Sequence, residues 1–229
     1  PIGSFYLLKT DGIFQSQEEV LAHSKDGVLI QKQAEPGDIR YVDYNGDGKI
    51  TVDGDAQYAG SPFPDLTMGL RAGLDWRGID FTMFFDGTFG NKIYNHTRAR
   101  SEQMKEVQNF STTVLDYWTP TNTNTDMPRF IPTDPNNNAE RVSDRWLEDG
   151  SFFRLKTLEL GYTLPENAVS KLRLSRLRVY ASFENLFTAT KYKGYTPDLG
   201  QYDGVFTRGV DVGRYPIPRT YMMGIQLDF

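Results

Sequence analysis

The sequence predicts an all-β protein with antiparallel strands that form part of a transmembrane barrel. Three observations favour this fold class. Several stretches alternate apolar and polar residues, which is the signature of strands. The connections alternate between long and short in chain order, an asymmetry typical of outer-membrane barrels. Aromatic residues reach 14%, although the hydrophobic fraction is only 38% and the mean hydropathy is −0.52, whereas a compact soluble domain would carry more Leu, Ile and Val.

The first three strands are predicted in the amino-terminal half of the chain. Residues 4–8 form a short partial strand. Residues 66–76, LTMGLRAGLDW, and residues 79–89, IDFTMFFDGTF, carry apolar side chains at every second position. Arg77-Gly78 separates these two stretches and predicts a tight hairpin connection. The sequence therefore indicates one short strand followed by a long hairpin.

Three further strands follow the same alternation. They are residues 153–165, FRLKTLELGYTLP, residues 176–187, RLRVYASFENLF, and residues 219–229, RTYMMGIQLDF. The long connections cover residues 9–65, 90–151 and 188–216, and the other connections are short. About six strands are expected, with all long loops on one side of the membrane.

Each predicted strand has one apolar and one polar face. In a transmembrane barrel the apolar faces contact lipid and the polar faces line the lumen. Arg71, Asp75, Asp80 and Asp86 then face the lumen, where we expect a network of charges between strands and not substrate ligands. The alternative is a soluble sandwich with half-buried strands, which gives no reason for sorting the loops by length.

Composition excludes several classes of function. A net charge of −5 and a pI near 5.1 argue against a nucleic-acid partner. No Cys and only two His are present, so thiolate chemistry and a multi-histidine metal centre are excluded. No apolar run is long enough for a transmembrane helix. The adjacent carboxylates of Glu148 and Asp149 diverge in a strand or turn, and we predict that the protein is not an enzyme.

Residues 43–55, DYNGDGKITVDGD, resemble a calcium-binding loop of the EF-hand kind. With the first ligand position at Asp43, the pattern puts carboxylate or amide oxygens at the third and fifth positions and Gly48 at the sharp turn. The predicted ligands are Asp43, Asn45, Asp47, the Lys49 carbonyl, Thr51, and one of Asp53 or Asp55.

The calcium loop lacks the bidentate Glu expected at its twelfth position, which is Gly54. One of the flanking aspartates must replace it, so affinity should be weak, about 10⁻⁴ to 10⁻³ M. Magnesium fits poorly because it requires a tight octahedron. No flanking helix pair is predicted, and the ion would order the long loop without acting as a sensor. The alternative is a set of Asn-Gly and Asp-Gly turns with solvated aspartates.

Six stretches resemble, in order, the C-terminal part of the SusC/RagA family of TonB-linked outer-membrane proteins. They are PIGSFYLLKTDGIFQSQEEV, PGDIRYVDYNGDGKIT, GSPFPDLTMGL, FFRLKTLELGYTLP, ENLFTATKYKGYTPD and YMMGIQLDF. The likeness covers nearly the whole chain, residues 1–229, which would then be a barrel segment and not an independent domain. The TonB box, the plug and the earlier strands would belong to a missing N-terminal part.

The resemblance implies a barrel of about 22 strands in a Gram-negative outer membrane of the Bacteroidota type. It implies import of oligosaccharides or peptides, a SusD-like lipoprotein as partner, and energy from TonB through the missing part. The loops 9–65, 90–151 and 188–216, and with them the calcium loop, would be extracellular. A soluble, secreted, calcium-stabilised carbohydrate-binding domain is the alternative function.

Two expectations concern the ends of the predicted strand set. The strands at residues 4–8 and 221–229 should both be open edges that pair with the remainder of the same barrel. Phe229 is in phase with the apolar residues of the last strand, and by resemblance to barrel proteins it would serve as the C-terminal signal for membrane insertion. The loop YWTPTNTNTDMPRFIPTDPNNN should mostly pack internally.

Overall fold

The computed structural model describes residues 3–105, 109–170, 173–199 and 207–229. Strands dominate it, and the helices are short. No helix in these four ranges is both long and apolar enough to cross a membrane.

The strands of the described residues are numbered in chain order. They are β1 (Phe5–Leu8), β2 (Thr10–Ile13), β3 (Ser24–Lys25), β4 (Val28–Leu29), β5 (Ile39–Tyr41), β6 (Ala56–Gly60), β7 (Leu66–Trp76), β8 (Ile79–Phe89), β9 (Lys92–Asn95), β10 (Leu147–Asp149), β11 (Phe152–Thr163), β12 (Arg176–Thr190), β13 (Val210–Asp211) and β14 (Thr220–Asp228). The helices are α1 (Gln17–Ala22), α2 (Val52–Asp55), α3 (His96–Glu102) and α4 (Glu166–Val169), with 3-10 turns at Thr112–Asp116 and Asp144–Trp146.

The chain divides into two compact units. The loop unit contains residues 1–62, 93–148 and 199–213, and the strand unit contains residues 63–92, 149–198 and 214–229. The predicted long connections at 9–65, 90–151 and 188–216 therefore supply most of the loop unit. These connections form secondary structure of their own, including short sheets and three of the helices.

The strand unit is one antiparallel sheet in the order β14-β12-β11-β8-β7. Its five strands confirm the five long strands expected from the alternation. The β7–β8 hairpin turns at Arg77-Gly78, where both residues have positive φ of 49° and 85°, as a two-residue hairpin of this type requires. Residues 164–175 form the other short connection, between β11 and β12.

The short strand predicted at residues 4–8 exists but lies outside this sheet. As β1 it pairs with β6 in a separate two-stranded sheet, so the large antiparallel sheet has five strands where six were expected. Leu7 and Leu8 are both buried, a pattern that fits packing inside the loop unit and not alternation between lipid and lumen. In the described residues the edges of the five-stranded sheet are therefore β7 and β14, and the prediction that residues 4–8 form one of its edges was wrong.

The regular pairing of β11 and β12 is interrupted at one level. Leu155 pairs with Phe187 and Thr157 with Glu184, which leaves Lys156 on β11 opposite residues 185 and 186 on β12. Asn185 adopts a positive φ of 54° there. Such bulges bend strands and re-aim side chains. The β12–β14 pairing also begins at this level, with Glu184 opposite Thr220.

A buried polar network holds the loop unit together. Asp38 is fully buried, and its carboxylate accepts two hydrogen bonds from the Arg129 guanidinium at 2.8 and 3.0 Å. Asn138 donates to Asp38, and Asn136 donates to the Ile39 carbonyl. Asn136 and Asn138 of the Asn-rich loop are therefore internal, because their amides satisfy the backbone of another segment, whereas Asn137 between them is exposed.

Gly37 lies beside this network in a conformation that favours glycine. Its φ is +93°, and a Cβ there would lie 2.5 Å from the Trp118 ring and 2.7 Å from Arg129 Cβ. The Trp118 indole donates a hydrogen bond to the Gln15 side chain at 2.9 Å, so the ring is held in place. Close approach of Trp118 and Arg129 thus requires the absence of a side chain at residue 37.

We predict that Gly37→Ala destabilises the loop unit by about 1 to 3 kcal/mol more than Gly12→Ala. Gly12 has a similar φ of +78° but nothing within 4 Å of its Cβ position, so the control carries the backbone strain alone. Hydrogen exchange of residues 3–62 in the full-length receptor measures the difference. Equal exchange rates in the two variants would contradict the packing argument.

Candidate functional site

The strand unit presents a continuous apolar face that is exposed to the surroundings. Register places the apolar positions of all five strands side by side, for example Leu70 opposite Phe85 and Phe183 opposite Tyr221. The outward residues of the edge strands are strongly exposed, with Leu74 at 62%, Ile225 at 66% and Met223 at 88%. Exposed apolar surface of this extent marks an interaction with a membrane or a partner.

The opposite face of the same sheet is polar and carries two clusters of ion pairs. Arg178 on β12 donates to Asp80 on β8 at 2.9 Å and to Glu159 on β11 at 2.6 Å. One guanidinium therefore joins three neighbouring strands through charge-assisted hydrogen bonds. The Arg178 guanidinium also stacks on the Tyr180 ring at 4.9 Å.

Two glycines provide the space for these flat side chains. In the register, Tyr180 lies between Gly161 on β11 and Gly224 on β14. A Cβ at Gly161 would lie 2.5 and 2.6 Å from the Arg178 guanidinium nitrogens, and a Cβ at Gly224 would lie 2.5 Å from the Tyr180 ring. Glycine in a strand interior here reflects close approach of a neighbouring side chain.

A second ionic cluster lies farther along the polar face. Arg154 is 4% exposed and donates to both carboxylate oxygens of Asp86, at 3.0 and 2.6 Å. It also donates to Asp198 at 3.1 Å. Bidentate geometry of this kind fixes both position and orientation. Two of the lumen-facing aspartates expected to form a charge network, Asp80 and Asp86, therefore do so.

Not every residue predicted for this network takes part in it, and three of its members were not predicted. Arg71 and Asp75 face the same side, but the structure gives neither of them a salt bridge in the described ranges. The partners Arg154, Glu159 and Arg178 were missed as network members. Glu159 and Arg178 stand at polar positions of their strands, whereas Arg154 is in phase with the apolar positions and reaches the polar face because the register of β11 shifts between Leu155 and Thr157. The usable signal was an arginine in the polar phase of a strand whose neighbours carry aspartates.

The acidic loop at residues 43–55 is closed by two aspartates. Asp43 accepts backbone hydrogen bonds from Gly46 and Gly48, both at 2.8 Å, and so forms the sharp turn. Asp55 is fully buried, and its carboxylate accepts from the backbone of Tyr44 at 2.8 Å and of Thr51 at 2.7 Å. Asp55 thus ties the start of the loop to its end.

The remaining predicted ligands of the acidic loop differ in exposure and contacts. Asp53 is exposed, while Thr51 caps α2 by accepting from the Gly54 N–H at 3.1 Å. Asn45 donates to Asp47 at 3.2 Å, and Lys49 donates its backbone N–H to Asp47 at 2.9 Å. Among the described residues no three His, Cys, Asp or Glu side chains are grouped as a metal site. Of the two candidate aspartates, Asp55 is the one that contacts the rest of the loop, and both of its carboxylate oxygens accept backbone N–H groups there.

Three curated relatives are similar to the chain over most of its length. TonB-dependent receptors P3 and P26 of Formosa agariphila are 34% and 33% identical over 100% and 95% of the chain. SusC of Bacteroides thetaiotaomicron is 25% identical over 88% of the chain. The chain spans only 22%, 22% and 18% of these relatives. No family model matches the chain.

Two solved structures share the fold. The RagAB peptide transporter superposes with a TM-score of 0.76 at 27% identity, covering 99% of the chain and 23% of the matched chain. The RagAB peptide importer in its open-open state gives a TM-score of 0.75, also at 27% identity, covering 99% of the chain and 22% of the matched chain. These matches confirm the expected likeness to the barrels of such transporters.

We predict that Gly161→Ala lowers the stability of the strand unit by about 1 to 3 kcal/mol, because its methyl group displaces the Arg178 guanidinium from Asp80. Gly73→Ala is the matched control: it also lies on the polar face, and its Cβ would have ordinary contacts at 3.6 and 3.7 Å. Urea unfolding of the full-length receptor in lipid measures both. Equal destabilisation would show that the Arg178 contact does not require Gly161.

Proposed function

We propose that this chain, which is a segment of a SusC/RagA-type TonB-dependent receptor, forms part of the barrel wall of an outer-membrane importer for oligosaccharides or peptides. The observation that carries the proposal is the two-faced sheet. One face is apolar and exposed across five strands, and the other is polar with its buried charges neutralised. Lipid on one side and a wet lumen on the other require this arrangement.

The partners in this proposal are inferred from the relatives of the chain. They are receptors and transporters and not enzymes, and TonB-dependent receptors are outer-membrane proteins. By likeness to the RagAB transporter and to SusC, we infer a SusD-like lipoprotein as partner and TonB as the energy source, contacted through other parts of the receptor. A soluble carbohydrate-binding domain is disfavoured because it would leave the apolar face of the sheet in water.

Calcium binding by the acidic loop is part of the proposal. Asp43 and Asp55 already order the backbone around the loop, and Asn45, Asp47, the Lys49 carbonyl and Thr51 are oxygen donors along it. Calcium accepts six to eight such oxygens in flexible geometry. We infer that the ion would bind weakly and stabilise a segment whose turns are already formed.

The role of Phe229 as an insertion signal stays a prediction. The residue follows β14, and its side chain is 92% exposed. Its position continues the apolar phase of Ile225 and Leu227, which suits the interfacial aromatic girdle of a barrel.

The membrane face is tested by Leu70→Lys in the full-length receptor. We expect a loss of inserted receptor, since a lysine on the lipid side costs about 2 to 4 kcal/mol near the midplane. Leu115→Lys makes the same change in the loop unit, at a residue 80% exposed, and should insert normally. The measurement is receptor abundance in isolated outer membranes. Normal insertion of Leu70→Lys would refute the membrane assignment of this face.

The cation loop is tested by comparing Asp55→Asn with Asp53→Asn. We expect the first to weaken calcium binding by about tenfold or more, because it removes a ligand charge, and the second to leave it nearly unchanged. Calcium titration of the full-length receptor, followed by competition with terbium luminescence, gives both affinities. Hydrogen exchange without calcium reports the loop's own stability separately. Absence of binding at millimolar calcium would reject the site.

A further inference from the structure

One level of the strand unit carries two exposed basic residues beside the apolar face. Lys156 lies between Leu155 and Thr157, which pair with the consecutive residues Phe85 and Phe84, so it is an extra residue of β11 relative to β8, and its side chain is exposed. Arg219 immediately precedes β14, two residues before Tyr221 and therefore in phase with the apolar face, and it is also exposed. The bulge removes Lys156 from the strict alternation of its strand.

The sheet register brings these two residues to the same height. Thr157 pairs with Glu184, and Glu184 pairs with Thr220. Lys156 and Arg219 therefore flank β12 on its two sides, with backbones about 10 Å apart, since neighbouring strands are separated by about 4.8 Å. Both side chains are long enough to approach one ligand group lying over β12.

The charges at this level differ from two arginines on the polar face of the sheet. Arg154 and Arg178 are neutralised by carboxylates on the polar face, whereas within the described ranges neither Lys156 nor Arg219 takes part in a salt bridge. The acidic residue at their level is Glu184, whose register with Thr157 places it on the polar face. The two cations are thus available for an anion from outside.

The surroundings indicate that this anion is attached to an apolar body. Tyr221 and Phe187, next to the two cations, are 63% and 45% exposed, and Met223 below Tyr221 is 88% exposed. A small soluble anion would make no apolar contact with these side chains. A lipid phosphate is attached to acyl chains, which could pack against them. Arginine binds phosphate by its planar fork, and lysine binds it as a point charge.

We propose that Lys156 and Arg219 bind the phosphate of a phosphorylated membrane lipid, with its acyl chains against the apolar face at Tyr221 and Met223. The proposal rests on the proposed function, because it requires this face to lie in a bilayer. It adds a specific lipid contact at the end of the sheet where the long connections begin.

The test measures lipid retention by the full-length receptor in detergent with native mass spectrometry. The probes are phosphatidylglycerol and diacylglycerol with the same acyl chains. We expect the wild type to retain phosphatidylglycerol preferentially and the double variant Lys156→Gln with Arg219→Gln to retain at least about fivefold less. Lys32→Gln removes an exposed charge from the loop unit and should not change lipid retention. The double variant Lys156→Arg with Arg219→Lys keeps both charges and should keep most of the preference for phosphatidylglycerol.

The outcomes separate this proposal from the proposed function. Equal retention by wild type and double variant, with all variants inserted in membranes, overturns the lipid site and leaves the barrel assignment intact. Displacement of the lipid by inorganic phosphate at similar concentration would also overturn it, because the acyl chains would then contribute nothing. Failure of the wild-type receptor to insert would instead reject the proposed function.

Discussion

The Arg178 guanidinium holds three strands of the sheet together by pairing with two carboxylates on its polar face. It reaches Asp80 and Glu159 at once because Gly161 leaves room beneath it and the Tyr180 ring supports it from the side. A sheet with one face turned to lipid cannot bury its charges in a core between two layers. Its polar side chains must therefore be satisfied by neighbours on the same face.

The same constraint explains the difference between the two units. The strand unit keeps its apolar residues on the outside and has one sheet, so its order depends on backbone pairing and on cross-strand ion pairs. The loop unit instead buries apolar clusters such as Phe14, Val20 and Ala34, together with amides that satisfy distant backbone groups. Long connections can be ordered in this way because their polar side chains supply the backbone N–H and C=O groups with the hydrogen-bond partners that a neighbouring strand would otherwise provide.

The acidic loop and the bulge at Lys156 show how local chemistry is adapted to these two settings. The carboxylates of Asp43 and Asp55 accept backbone N–H groups, so the chain's own hydrogen bonds shape the loop. Burial raises the pKa of Asp134 in the loop unit, although Ala139 and Asn138 donate to it. Asp43 and Asp55 in the loop unit act on the chain's own backbone, whereas the proposal for Lys156 and Arg219 gives these exposed cations a partner outside the chain.

The sequence by itself determined the long strands, their two faces and the family resemblance. Alternation with a period of two depends only on neighbouring residues, and the order of the motifs is read along the chain, so neither depends on which distant segments meet. The sequence also located the acidic loop and the Arg77-Gly78 hairpin. Only the tertiary structure decided that residues 5–8 pair with β6, that Asp55 and not Asp53 closes the loop, and that Arg178 joins Asp80 to Glu159. These outcomes depend on which distant segments meet, and neither the residue types nor their spacing along the chain specifies that pairing.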